Sequence, residues 1–455
     1  MTLRKNWPDI AGGIFLLLLA LGALAWWRAP RLLPAADQAE LLPTADILIP
    51  FSAPVDSESV RTHLIFPPDM PFTMLWDDAH TLRLRPQHAW PAGSRLQVGI
   101  GPGARAAAWP HLPVLGTTTW EVRISAPSLL YLWPTDNEPA NIYRLQPASG
   151  EIQALTDDPQ GVTGYHASAD GLHIYFANLQ GDLYVLDRLT GESPLLLDCG
   201  RDVCANPQVN PAGTRLAFER TPTDRPPQQA YSQVWILPLD EGEPFPLETH
   251  YSRLPQWSAS GWLSVYLPAD GVYHAYPPQG GQPLIWQNQT GEPGTWLPDS
   301  RTFIAPEIFS LPNGYITENN VFLDMPASHL LAYAVQTGAA EDWSEDLPVE
   351  DIFPAISPDG RYLAFARKYL DVKRWRLGRQ LWLRDLHAGT NIMLTDAPEY
   401  THTAFAWSPD SAYLVYVRSS QADFSQPPEI WMVNATTGSA PLRLVIGGAA
   451  PQWIP

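Results

Sequence analysis

The chain predicts an all-β protein: a seven-bladed β-propeller, with six or eight blades as the alternatives, preceded by a small β-sandwich and an N-terminal transmembrane helix. Three observations carry this reading of the 455 residues. A turn-and-strand unit recurs through the last two-thirds of the chain, short β-like runs separated by Pro and Gly fill residues 45–124, and residues 10–27 are without exception apolar or small. Fold periodicity of this kind fixes architecture before function, because a propeller is a platform whose chemistry sits in its loops.

At the N-terminus, residues 1–9 carry Arg4 and Lys5 ahead of the apolar run 10–27. Eighteen apolar residues are at the short end of what spans a bilayer. The preceding cations place residues 1–9 in the cytoplasm by the positive-inside bias, with Arg28 and Arg31 on the far side opposing it and Trp26 and Trp27 as an outer aromatic anchor. A cleaved signal peptide is the alternative, since Ala23-Leu24-Ala25 fits a small-x-small cleavage site. Either way the bulk of the chain is expected to be extracytoplasmic; the uncleaved anchor is the leading expectation and makes it a single-pass protein of the cell membrane. Residues 28–43 read as a short spacer.

Residues 44–126 form the next expected unit. Strands are predicted at Ile47–Ser52, His63–Phe66, Phe72–Trp76, Thr81–Leu84, Leu96–Ile100 and Thr118–Val122, short and evenly spaced as in a small sandwich. The run Phe51-Ser52-Ala53-Pro54-Val55-Asp56, then Thr81-Leu82, Pro86 and Pro91-Ala92-Gly93-Ser94 resembles bacterial Ig-like domains of surface-layer proteins, departing at Leu96 where that family has an aromatic.

From residue 127 to 455 the punctuation repeats: Ser168-Ala169-Asp170-Gly171, Asn210-Pro211-Ala212-Gly213, Ser258-Ala259-Ser260-Gly261, Leu297-Pro298-Asp299-Ser300, Ser357-Pro358-Asp359-Gly360 and Ser408-Pro409-Asp410-Ser411. The last residues of these turns are 42, 48, 39, 60 and 51 residues apart, the period of a four-stranded blade. An apolar strand follows, such as Tyr362–Phe365, then a polar-aliphatic-aromatic strand, such as Gln380-Leu381-Trp382 or Glu429-Ile430-Trp431, then a Gly-containing reversal. Seven such second strands are present. The first unit, opening at Leu129–Leu132, has no inner strand of its own, and Pro451–Pro455 is expected to supply it and close the ring. Six in-phase copies of the turn with their strands resemble the TolB-like family, whose units are also called WD40-like or PD40 repeats. The resemblance covers roughly residues 128–455 and implies the propeller fold.

Cys199 and Cys204, with four residues between them in the loop after the second unit, are expected to form a local disulfide in an oxidising compartment; free buried thiols are the alternative, and two thiols without neighbouring histidines make a poor metal site. The net charge of −19 argues against nucleic acid as a partner. A G-x-S-x-G elbow and an H-E-x-x-H pair are both absent from the sequence, so no catalytic, cofactor-binding or metal-binding residue is assigned and no cofactor is expected. The repeated aspartates read as turn formers.

Charge in neighbouring loops of the fifth and sixth units is the distinctive non-repeat feature. Glu341, Asp342, Glu345, Asp346, Glu350 and Asp351 precede an inner strand, and Lys368, Lys373, Arg374, Arg376 and Arg379 lie between the next two strands, on the same propeller face. These are the candidate partner-docking residues, with Phe303, Phe309, Tyr315 and Phe322 nearby; a solvated surface of mutually satisfied charges is the bland reading. The leading expectation is a membrane-anchored binding or scaffolding protein whose loop face engages a protein or glycan of the cell envelope. The alternatives are a channel-mouth hydrolase or lyase, with Asp157, Asp158, His250 and His402 as its candidates, and a structural envelope component.

Overall fold

The computed structural model describes residues 26–455, apart from 27, 34–39, 42, 44, 88–89, 116–118, 136–137, 227–228, 249, 317–321, 346 and 436–438, and describes only the backbone at 40, 311–316 and 322–324. The expected membrane span 10–27 lies, Trp26 aside, outside the described residues. Among the described residues no helix is long and apolar enough to cross a membrane. The chain separates into two compact units, the first ending at Ala126 and the second running from Pro127 to Ile454.

The first unit is two sheets over one core. A four-stranded sheet orders Glu40–Leu41, Thr119–Ile124, Arg95–Ile100 and Leu64–Ile65, and a three-stranded sheet orders Ile47–Pro50, Thr81–Pro86 and Phe72–Trp76. Alternation decides which residues face inward: Leu82 and Leu84 from one sheet and Leu96, Val98, Val122 and Ile124 from the other are buried in a common cluster with Trp90. The sequence reading missed the helix Ser57–His63 between them. Its signal was Asp56, whose carboxylate accepts from the Glu58 and Ser59 amides at 3.1 Å as an N-cap.

The second unit consists of antiparallel four-stranded meanders. Five are separate sheets: Ala449–Ile454 with Ser128–Trp133, Asn141–Gln146 and Glu151–Ala154; then those spanning residues 162–197, 203–246, 253–287 and 400–446. The fifth (residues 295–342) and sixth (349–393) are joined into one eight-stranded sheet by a single parallel bridge, Ser328 to Glu350. The fifth outgrows the others because its hairpin Thr302–Ile316/Phe322–Ala334 is far longer than the five to eight residues typical elsewhere.

Each meander packs its face on the next. Leu216 and Phe218 meet Tyr175 and Leu183 from the meander before, Tyr273 and Trp286 meet Trp296 and Phe303, and Leu363 and Phe365 meet Ile304 and Leu330. The cycle closes where Val415, Val417 and Ile430 pack on Leu129, Tyr131 and Leu145. The C-terminal strand completes the first meander as its innermost member, with Gln452 opposite Leu130 and Ile454 opposite Ser128. The arrangement is a β-propeller whose ring is closed by the C-terminal strand, leaving each meander only short edges at its innermost and outermost strands.

The repeated turns explain the sequence punctuation atom by atom. In all six, the amide of the fourth residue donates to the carbonyl of the first at 2.8–3.0 Å, and that fourth residue has φ between 56° and 89°, which glycine adopts without strain. Ser168, Ser357 and Ser408 donate to the aspartate two residues on (2.5–2.6 Å) and accept an amide five residues on (2.9–3.0 Å). Asp170, Asp299, Asp359 and Asp410 each accept the second following amide, which is turn formation and nothing more.

Two further repeats run along the inner strands. Asn206, Leu254, Phe353, Ala404 and Ala450 sit at one equivalent inner-strand position with φ of 49° to 56°, each at a β-bulge. Just beyond it, Trp257, Trp296 and Trp407 donate from Nε1 to the carbonyls of Gln208, Gln256 and Ala355 in the preceding meander at 2.9–3.3 Å, stitching inner strand to inner strand.

Candidate functional site

The sixth meander carries the candidate site because its second hairpin is long. Strands Tyr362–Tyr369 and Gln380–Asp385 diverge after Arg367↔Gln380, and residues 370–379 form a loop standing on segment 396–400. Gly378 permits this seating: its amide donates to the Pro398 carbonyl (2.8 Å), and a Cβ there would overlap the Tyr400 carbonyl. On the other side the loop 421–428 of the seventh meander leans on the same segment, Gln421 donating its amide to the Glu399 carbonyl (2.7 Å). Three loop segments thus adjoin.

The predicted charges sort into partners. Arg379 pairs with Glu350 at 2.6 Å, Arg376 with Asp396, Arg374 with Asp371 at 2.7 Å, and Glu345 with Arg384 at 2.9 Å. Asp342 binds His329 Nδ1 at 2.7 Å. Glu341 is exposed, and Asp346 lies outside the described residues. Asp351 is not on the rim at all. It is fully buried and takes a two-pronged Arg367 contact (Nε 2.7 Å, Nη2 2.6 Å) plus the Ser344 hydroxyl (2.7 Å), because alternation along Val349–Ile356 turns it inward. Burial raises the Asp351 carboxyl above its ordinary value, against the opposing pull of the guanidinium.

Aromatic rings hold the cations in place. Arg367 lies over Phe365, Trp382 and Tyr369 at 5.0, 5.4 and 5.9 Å, Arg374 over Tyr369 at 3.8 Å, and Lys368 over Trp375 at 4.8 Å. Lys368 and Lys373 form no ion pair among the described residues. The loop tips are apolar: Val372 is 96% exposed, Trp375 52%, Leu377 42% and, on the neighbouring loop, Phe424 83%. The sequence reading passed over these four, although three of them stand between the cations it singled out.

Of the aromatics named with the cluster, Phe303 is a core residue beside Trp286 (5.7 Å) and Phe309 packs on His329 (5.1 Å), while the side chains of Tyr315 and Phe322 lie outside the described residues. The channel candidates do not assemble. Asp158 is occupied by the Gln160 amide (2.8 Å) and Asn178, His250 is an exposed loop residue, and His402 is 1% exposed, packed on Tyr416. His402 Nδ1 faces the Arg379 carbonyl at 2.8 Å and so carries the proton.

A hollow of about 260 Å³ opens along the inner strands of the third to fifth meanders. Glu219 anchors it, accepting the Leu254 amide (2.9 Å) and Asn206 Nδ2 (3.0 Å), both bulge residues. No group of three or more metal-ligating side chains occurs among the described residues. Cys199 and Cys204 are disulfide-bonded, their Cα atoms 6.3 Å apart, tying the loop at Cys199 to the third inner strand, Val203–Val209, at Cys204.

No family model and no curated protein matches this chain. Solved propellers do. A putative TolB from Agrobacterium tumefaciens is 16% identical over 71% of this chain and 91% of its own, with a TM-score of 0.41. TolB from Acinetobacter baumannii is 11% identical over 80% of each chain, with a TM-score of 0.43. The β-propeller domain of the Trilobed protease from Pyrococcus furiosus is 12% identical over 78% of this chain and 93% of its own, with a TM-score of 0.48. These likenesses concern the fold.

Proposed function

We propose that this is a membrane-anchored, extracytoplasmic binding protein whose loop face on the sixth and seventh meanders docks a protein of the cell envelope. In this reading residues 10–27 are the anchor, the first unit is an Ig-like spacer, and the seven meanders are seven blades. The observation that carries it is the apolar crest of Val372, Trp375, Leu377 and Phe424, raised on loops whose bases are locked by ion pairs. Exposed aromatic and aliphatic tips within a charged rim are the usual anatomy of an interface centre. The paired charges support this face without supplying its affinity, since surface pairs contribute little.

The test is crosslinking of the full chain in native membranes, beside a variant carrying Val372→Ser, Trp375→Ser and Phe424→Ser. One specific crosslinked partner, lost in the variant while the melting temperature is unchanged, is the expected result. Equal crosslinking by the two proteins would sink the assignment of this face.

A further inference from the structure

We infer that the hollow beside the same loop is a small-molecule site for an oxyanion carried on a sugar-sized ring. Its volume is about 350 Å³, within the range of ligand pockets and suited to one monosaccharide. Its walls are cationic and aromatic, with Lys368, Lys373 and Arg374 set against Tyr369, Trp375 and Trp382. On a chain of net charge −19 such a concentration of cations is local and selective.

The charge accounting inside the hollow identifies the missing group. Arg367 is consumed by Asp351, Arg374 by Asp371 and Arg376 by Asp396. That leaves the ammoniums of Lys368 and Lys373 without a carboxylate among the described residues. Lys368 is steadied over Trp375 and donates to the Leu377 carbonyl at 3.3 Å, which leaves two of its three protons for a ligand. Two lysines lining one cavity, neither neutralised by a carboxylate among the described residues, suit a single oxyanion, and lysine serves as a compact point charge for such groups. The half-exposed Trp375 ring, together with Met393 in the lining, offers apolar surface for the ring that bears the anion.

Carboxylate and phosphate share this chemistry, and titration separates them. Trp375 belongs to both the crest and the hollow, so the two readings are separated by Val372→Ser/Phe424→Ser, which changes the crest without touching the lining of the hollow, and by Lys368→Met, which changes the hollow and spares the crest. Calorimetric titration of the full chain in detergent uses four probes: glucuronate, glucose 6-phosphate, inorganic phosphate and glucose. One or both anionic sugars should bind, more tightly than inorganic phosphate, and glucose should not. Which anionic sugar prevails names the oxyanion. Lys368→Met and Lys373→Met should each weaken that sugar about tenfold, the size of one charge-assisted hydrogen bond. Trp375→Ala should weaken the sugar and leave phosphate unchanged. Inorganic phosphate binding as well as both sugars would reduce the site to an adventitious ion only, and glucose binding equally, or no binding by any probe, would overturn it outright. An unchanged melting temperature in the lysine variants separates lost binding from lost fold.

Discussion

Replacing Asp351 with Asn should cost about 3–5 kcal/mol in urea unfolding, because it leaves the Arg367 guanidinium buried and uncompensated. The double variant Asp351→Leu/Arg367→Met should recover most of that loss, since an apolar pair of similar volume needs no charge partner. If the double variant is no more stable than the single one, the site tolerates no apolar replacement and the argument from desolvation fails. A second residue sets a pH dependence. Burial lowers the His402 pKa to about 4, against 6.5 for the free side chain. Below pH 6.5 the unfolded chain therefore takes up a proton that the folded ring refuses. Stability should fall as pH drops from 6.5 towards 4, by up to about 1.4 kcal/mol per pH unit from this histidine. His402→Gln should flatten the curve of melting temperature against pH in that window, and an unaltered slope would remove His402 from the account.

Among the elements, the inner strands are where backbone geometry does most. Their bulge residues hold φ near 50° without being glycine, a conformation that costs an L-residue roughly 1 kcal/mol. Ala404→Gly should therefore stabilise the seventh meander by up to about 1 kcal/mol, offset in part by greater freedom in the unfolded chain. A melt lower than the parent's would mean that the Cβ packs more than it strains. These bulges also show where the sequence fell silent. The turns were legible because Ser, Pro, Asp and Gly are chosen for a backbone that few residues adopt. At the bulges Asn, Leu, Phe and Ala are tolerated alike, so composition carries no mark. Only the proline after Asn206, Leu254, Phe353 and Ala450 was there to be noticed. The docking loop was half legible for a related reason. Its charges stood out, but pairing and burial depend on which strand face a residue takes, and that moved Asp351 indoors and left Val372 and Trp375 as the crest.

For the molecule as a whole, closure is the decisive contact. Ile454 is 1% exposed and shares a core with Leu130 and Ile142, so removing residues 451–455 strips the first meander of its inner strand. The truncated chain should lose at least about 3 kcal/mol and melt earlier, as for deletion of a large buried side chain. Coincident melts would show that the ring holds without its last strand. The same seam behaves distinctively under load. Ser128 and Ile454 face each other at one end of an antiparallel pair, so tension applied through the chain on either side of them acts on one hydrogen bond at a time. Such a pair peels like a zipper instead of resisting in shear, and in a single-molecule pulling experiment the seam should part before any of the meanders whose strands are consecutive in sequence.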